Sequence, residues 1–105
     1  MWNAAIADVV IERKRQINTE GWTEQHDDQH SDGSLALAAA CYAIHAATWP
    51  TTGTSSLGET YSTAPLLSRW PWSAKFWKPK NQRRDLVRAA ALILAEIERL
   101  DRSLR

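Results

Sequence analysis

The chain reads as one all-α domain of three main helices, and three observations predict that fold. Apolar residues recur at helical spacing in three separate stretches, each bounded by capping or breaking residues. No stretch alternates apolar and polar residues as a half-buried strand would. At 105 residues the chain is long enough for one real core and too short for two.

The first helix is predicted from about Asn3 to Thr19. Asn3 suits the N-cap, Ile6, Val9, Val10, Arg13 and Ile17 recur at helical spacing, and Gly21 follows as a breaker. The second starts at Ser34, after an Asp32–Gly33 turn, and ends near Thr48, before Trp49–Pro50. The third runs from about Arg83 to Arg102. Asp85 in its first turn and Arg99 and Arg102 in its last favour the helix dipole.

Between the second and third helices lies a long Trp- and Pro-rich connection, about 49–83, which a compact domain seldom carries without a reason. Its first half, TTGTSSLGETYSTAP, is small, polar and turn-prone, and is expected to be mobile. The second half interleaves Trp70, Trp72, Phe76 and Trp77 with Arg69, Lys75, Lys78, Lys80, Arg83 and Arg84. Pro71 and Pro79 keep it out of long helix, leaving room for one short turn over Ser73–Trp77.

Thirteen basic and twelve acidic side chains leave the chain nearly neutral, so charge acts through local patches and general nucleic-acid binding is not expected. The single cysteine, Cys41, lies in an apolar run, which suits a buried core position in a reduced, cytoplasmic protein. The amino-terminal stretch carries Asp8, Glu12 and Arg13 and does not read as a secretory signal. The longest apolar run, Leu35–Ala47, is too short to span a bilayer.

That run has His45 as its only strongly polar side chain, and the third helix from Leu86 to Ala95 is interrupted only by Arg88. Two such cylinders leave apolar surface that three helices cannot cover, which predicts a homo-oligomer assembled through the second and third helices. The competing arrangement folds the Trp-rich connection back over them.

The connection after the first helix is the densest in chemistry. Glu20, Glu24, Asp27 and Asp28 fall with His26 and His30 inside eleven residues. Glu20, Asp27 and Asp28 are candidate metal ligands, with Mg²⁺ the ion that a phosphate-bearing ligand would bring, although no cofactor is required. The competing role for the aspartates is to anchor arginines such as Arg13, Arg83 or Arg84. Phosphate contacts are assigned to Arg13 and Gln16 on the first helix and to Lys78, Lys80, Arg83 and Arg84, the last two at the amino end of the third helix. Trp70, Trp72 and Trp77 offer indoles on which a base can stack, and Trp22, His26 and His30 are further candidate ligand contacts. No glycine-rich phosphate loop and no nucleophile elbow occurs.

The segments IERKRQINTEGWTEQHDD with His30, LALAAACYA and WKPKNQRRDLVRAAALILAEIERLDR resemble a group of small phage- and prophage-encoded proteins. That group carries ERxRQ, EGWTxEHDDxH, LAxAAxxYA and a closing WWKPxxxRRDLVKAGALIxAEIERLDR. The resemblance covers most of the chain. Phe76 stands where the pattern has a second Trp, and Thr51 to Pro65 extends a shorter connection. It implies a phage origin and the cytoplasm of a bacterial host as the workplace.

A fainter similarity links the chain to MazG-like all-α nucleotide pyrophosphohydrolases, which pair carboxylates on neighbouring helices. Glu98 and Asp101 form one ExxD pair here, but the first helix has no ExxE and the second has no carboxylate. The expectation that follows is a small protein binding a nucleotide or nucleotide-derived phosphate ligand, as a phage protein sequestering a host immune signal would. A Mg²⁺-dependent pyrophosphohydrolase using Glu20, Glu24, Asp27, Asp28 and Glu98, or an inhibitor that blocks a host enzyme through its Trp-rich loop, are the alternatives.

Overall fold

The computed structural model describes residues 3–49, 58–64 and 68–104. Among the described residues four α-helices form: α1 (Ala4–Asn18), α2 (Glu24–Asp28), α3 (Ser34–Thr48) and α4 (Gln82–Ser103). The three long ones are those the sequence predicts, to within a residue or two. The short α2 inside the acidic turn is additional. Single 3-10 turns cover Tyr61–Thr63 and Ala74–Phe76, the second inside the Ser73–Trp77 stretch. Residues 51–57 and 65, most of the stretch expected to be mobile, lie outside the described residues.

Side-chain caps fix the helix starts. Asn3 Oδ1 accepts from Ile6 N at 3.0 Å, Thr23 Oγ1 from His26 N at 3.3 Å and Asn81 Oδ1 from Arg84 N at 2.8 Å. At α3 the N-cap is Gly33, whose φ of 86° is a left-handed conformation that suits glycine, while Asp32 Oδ1 accepts from Ser34 N.

The core forms where α3 packs on α4. Leu35, Ala38, Ala39, Cys41 and Tyr42 meet Ala89, Leu92 and Ala95, and the alanines let the two axes approach closely. Gln82 Nε2, at the start of α4, donates to Ala46 O near the end of α3, so the two run antiparallel. The Trp-rich connection closes one side. Trp70 stands edge-on to Tyr42 at 5.5 Å, Trp77 stacks on Tyr42 at 5.0 Å, and His45 meets Tyr61 edge-on at 4.3 Å. His45 Nε2 lies 2.8 Å from Tyr61 O, which gives the one strongly polar side chain of α3 a buried partner. The connection therefore does fold back over α3, on one face.

Of the stripe expected on α1, Arg13 is buried, Val9, Val10 and Ile17 are half-buried and Ile6 is exposed. Ile6 is 45% exposed, whereas Glu12 and Gln16 are 1% exposed and Arg13 is 7% exposed. Its inward face is the polar one, because buried charges there meet charges from α2 and α4. Arg13 donates through one NH2 to Asp27 Oδ2 at 2.7 Å and through Nε to Glu98 Oε1 at 2.9 Å. It thereby ties α1 to α2 and to α4 at once. Asp28 pairs with Arg102 at 2.8 Å, a second tie between α2 and α4. Both aspartates of the acidic turn anchor arginines.

Asp27 is fully buried, so removing its guanidinium partner strands a charge. Arg13→Met is expected to cost about 3–5 kcal/mol in denaturant unfolding. Arg13→Met with Asp27→Leu should recover a large part of that loss. A double variant as unstable as the sum of the two singles would show that the pair is not the link described.

Candidate functional site

The elements converge on a cleft with two adjoining chambers. The outer one, about 250 Å³, is lined by Trp22, His26, His30, Trp72, Ser73 and Phe76. The inner one, about 80 Å³, shares Trp22, Trp72 and Phe76 and adds Glu12, Arg15, Gln16, Glu20, Tyr42, Trp70, Lys78, Arg88 and Leu92.

Local folding explains how these side chains meet. Past the end of α1, Trp22 N donates to Gln16 O at 2.9 Å, which turns the chain so that the indole lies against α2. Its ring stacks on His26 with centroids 5.8 Å apart and stands edge-on to Trp72 at 5.7 Å. His30 reaches Trp72 from the other side, also at 5.7 Å. Trp70 Nε1 donates to Ser73 O at 3.1 Å and shapes the turn that presents Trp72 and Phe76. Arg88 NH1 donates to Lys78 O at 2.7 Å, pinning the far end of the same segment to α4.

The inner chamber is electrostatically built. Glu12 accepts from Arg15 Nε at 2.8 Å and Arg15 NH2 at 2.9 Å, and also pairs with Arg84. Burial by itself would raise the Glu12 pKa. The Arg15 hydrogen bonds and the charges of Arg15 and Arg84 outweigh that and hold it below its ordinary value of 4.5. Glu20 pairs with Arg15 at 2.9 Å. Gln16 donates to Glu12 at 3.3 Å, while its Oε1 is buried and has no hydrogen-bond partner among the described residues; the same holds for Trp72 Nε1 and Arg88 Nε. Buried polar atoms left unmatched are uncommon, and these three belong to residues that line one chamber.

The residues singled out from the sequence divide into four groups. Trp22, His26, His30 and Trp72 share the outer chamber, and Gln16, Lys78 and Glu20 line the inner one. Arg13 lies in the network with Asp27 and Glu98. Trp77 is packed against Tyr42, His45 and Trp70 at the edge of the core. Lys80, Arg83 and Arg84 sit at the amino end of α4. There Lys80 N donates to Asp85, Arg83 pairs with Asp8 at 2.8 Å and Arg84 reaches Glu12. A shallow hollow lined by Asp8, Asn81, Arg83 and Arg84 is separate from the aromatic cleft.

Glu20, Asp27 and Asp28 do not converge on one point. Each faces an arginine, and among the described residues no three His, Cys, Asp or Glu side chains are grouped to hold a metal ion. Glu98 of the ExxD pair faces Arg13.

Sequence reasoning did not assign Tyr42, Phe76 or Arg88 to the site. Arg88 had a signal, as the only polar interruption of an otherwise apolar stretch of α4; Tyr42, on a helix read as core throughout, had none. No protein-family model, curated protein sequence or solved structure matches this chain.

The depressed Glu12 pKa makes a pH prediction. Such a carboxylate adds stability that is fully present above its unfolded value and is lost as pH falls through the lower folded value. Melting temperature should therefore drop below about pH 4.5 in the unaltered protein. Glu12→Gln should melt lower at neutral pH and depend less steeply on pH in that acid window. Parallel curves for the two proteins would remove Glu12 from that role.

Proposed function

We propose that the protein binds a small nucleotide-type ligand in the aromatic cleft, its base against Trp22, Trp72 and Phe76. The observation that carries this reading is the convergence of Trp22, His26 and His30 with the sequence-distant Trp72 on one cavity next to buried, unmatched polar atoms. Indole faces stack on any base, each stack contributing about 1–3 kcal/mol. Gln16 Oε1 offers an acceptor to a base N–H and Trp72 Nε1 a donor, so the edge of the ring would be matched as well as its face.

The phosphate in this reading lies toward Lys78, which lines the inner chamber. Arg83 and Arg84 already face Asp8 and Glu12. The chamber volumes suit a mononucleotide-sized molecule better than a polymer. Sequestration of a host signalling nucleotide is the specific form that the phage resemblance suggests for such binding.

Titrating purified protein with nucleoside mono- and diphosphates and cyclic dinucleotides should quench tryptophan fluorescence for at least one of them. Trp72→Ala should weaken that ligand by about 1–3 kcal/mol. Lys78→Ala should weaken phosphorylated ligands while leaving the free nucleoside unaffected. If none of the ligands alters the fluorescence or binds by calorimetry, the reading fails.

We also propose that the chain assembles with copies of itself through α4. Leu86, Ile93, Ile97, Leu100 and Leu104 are 46–84% exposed, and with Ala90 they fall at alternating steps of four and three residues. That is the heptad seam of a helix made to pair with another helix. Leu37 and Ile44 add exposed apolar surface on α3. Light scattering at micromolar concentration should give a mass above the 11.9 kDa of one chain, and Ile97→Glu should bring it down to that value. A monomeric unaltered protein would end this proposal.

A further inference from the structure

His26 and His30 stand four residues apart across the end of α2, with their rings tilted by 52° and centroids 4.6 Å apart. Their Nε2 atoms face each other at 3.3 Å. Each ring is held from behind. His26 Nδ1 lies 3.2 Å from Asp27 Oδ1 and His30 Nδ1 lies 3.1 Å from Ser34 Oγ. Asp27 is fully buried and fixed by Arg13, and Ser34 is 4% exposed, so both supports are rigid. A carboxylate only accepts hydrogen bonds. His26 therefore carries its proton on Nδ1 and turns the bare Nε2 lone pair toward His30.

We propose that His26 and His30 form a two-point chelate for Zn²⁺ or another divalent transition metal that favours imidazole, its remaining positions open to the outer chamber. Two nitrogens bound at about 2.0–2.1 Å around a tetrahedral zinc stand roughly 3.3–3.4 Å apart. The Nε2 separation of 3.3 Å matches that spacing, and small ring rotations bring both lone pairs onto one ion. His26 stands in the last turn of α2 and His30 two residues past its end, where the His30 N–H donates to Asp27 O and brings the two imidazoles together. Asp27 and Ser34 then act as the outer hydrogen-bond partners that orient metal-bound histidines.

Donor chemistry decides the class of ion. Imidazole pairs suit zinc, copper, nickel and cobalt, whereas Mg²⁺ wants oxygen donors. The nearby carboxylates do not complete the set, since Asp27 and Asp28 are committed to Arg13 and Arg102. Water or a donor atom of a molecule in the cleft supplies the other ligands, because both histidines line that cleft.

A hydrogen-bonded chain is the competing occupant of the same space. In it Ser34 Oγ–H donates to His30 Nδ1, and His30 Nε2–H donates to His26 Nε2. The proton between the rings and the metal exclude each other. Metal binding therefore requires His30 to move its proton to Nδ1, where Ser34 Oγ accepts it.

The test adds Co²⁺ or Zn²⁺ alone to the purified full chain, with no nucleotide, so its outcome is independent of the ligand reading above. Co²⁺ should give the intense visible absorption of a four-coordinate ion at one metal per chain, and Zn²⁺ should displace it. His26→Gln and His30→Gln should each weaken binding at least a hundred-fold, with helical circular dichroism and melting showing that both variants fold. Ser34→Ala should weaken it about ten-fold without changing the stoichiometry. No metal uptake by the unaltered chain, or uptake that survives both histidine substitutions, would overturn the proposal and leave the Ser34–His30–His26–Asp27 hydrogen-bond chain in its place.

Discussion

The guanidinium of Arg13 is the element on which the remaining geometry rests. It is 7% exposed and meets Asp27 from α2, Glu98 from α4 and the carbonyl of Trp22. A buried ion pair is not a cheap source of stability, because desolvation offsets most of the attraction. Its return here is placement. Asp27, held by Arg13, orients His26; His26 stacks on Trp22; Trp22 and His30 both meet Trp72. One charged side chain on α1 thus sets the position of every wall of the outer chamber except Ser73 and Phe76.

Two other buried carboxylates follow the same logic. Glu12 gathers Arg15, Arg84 and the Gln16 amide. Asp85 receives the Tyr61 hydroxyl at 2.6 Å and the backbone N–H of Lys80. Burial and the negative charge of Asp85 both push the Tyr61 pKa up, so that phenol stays a donor. Each carboxylate joins segments distant in sequence, and none is left with a single partner. Small cores built largely of alanine offer modest apolar burial, and directional polar ties give the packing its register.

The helices were legible because their signals are local. Asn3, the Asp32–Gly33 turn and the apolar runs can each be read without knowing what they pack against. The five-residue α2 was not, since a single turn of helix lacks periodicity. The inward face of α1 was legible only in part, for a related reason. Periodicity marks Ile6, Val9, Val10, Arg13 and Ile17, of which Arg13 alone is buried, beside Glu12 and Gln16; the Arg13 and Glu12 charges find partners on α2 and α4. The acidic turn was recognisable as a place where chemistry collects, and anchoring of arginines was among its possible roles. Which arginine meets which aspartate depends on the crossing of α1, α2 and α4, information that no local pattern contains.

The same reasoning explains why α4 has two apolar aspects. Ala89, Leu92 and Ala95 face α3, while Leu86, Ile93, Ile97 and Leu100 are about half exposed, so a second apolar stripe runs beside the buried one. An isolated domain has no use for the second side, and exposed aliphatic side chains in a regular seam carry a solvation cost that pairing would remove. The cleft lies elsewhere, on the face formed by α1, α2 and the Trp-rich segment. Pairing along α4 would leave it open. Arg88 is the side chain that joins α4 to the cleft. It grows from α4, stacks over Tyr42 at 5.8 Å, holds Lys78 O and lines the inner chamber. Its Nε is buried and without a hydrogen-bond partner among the described residues, at the point where the Trp-rich segment is tied to the helix.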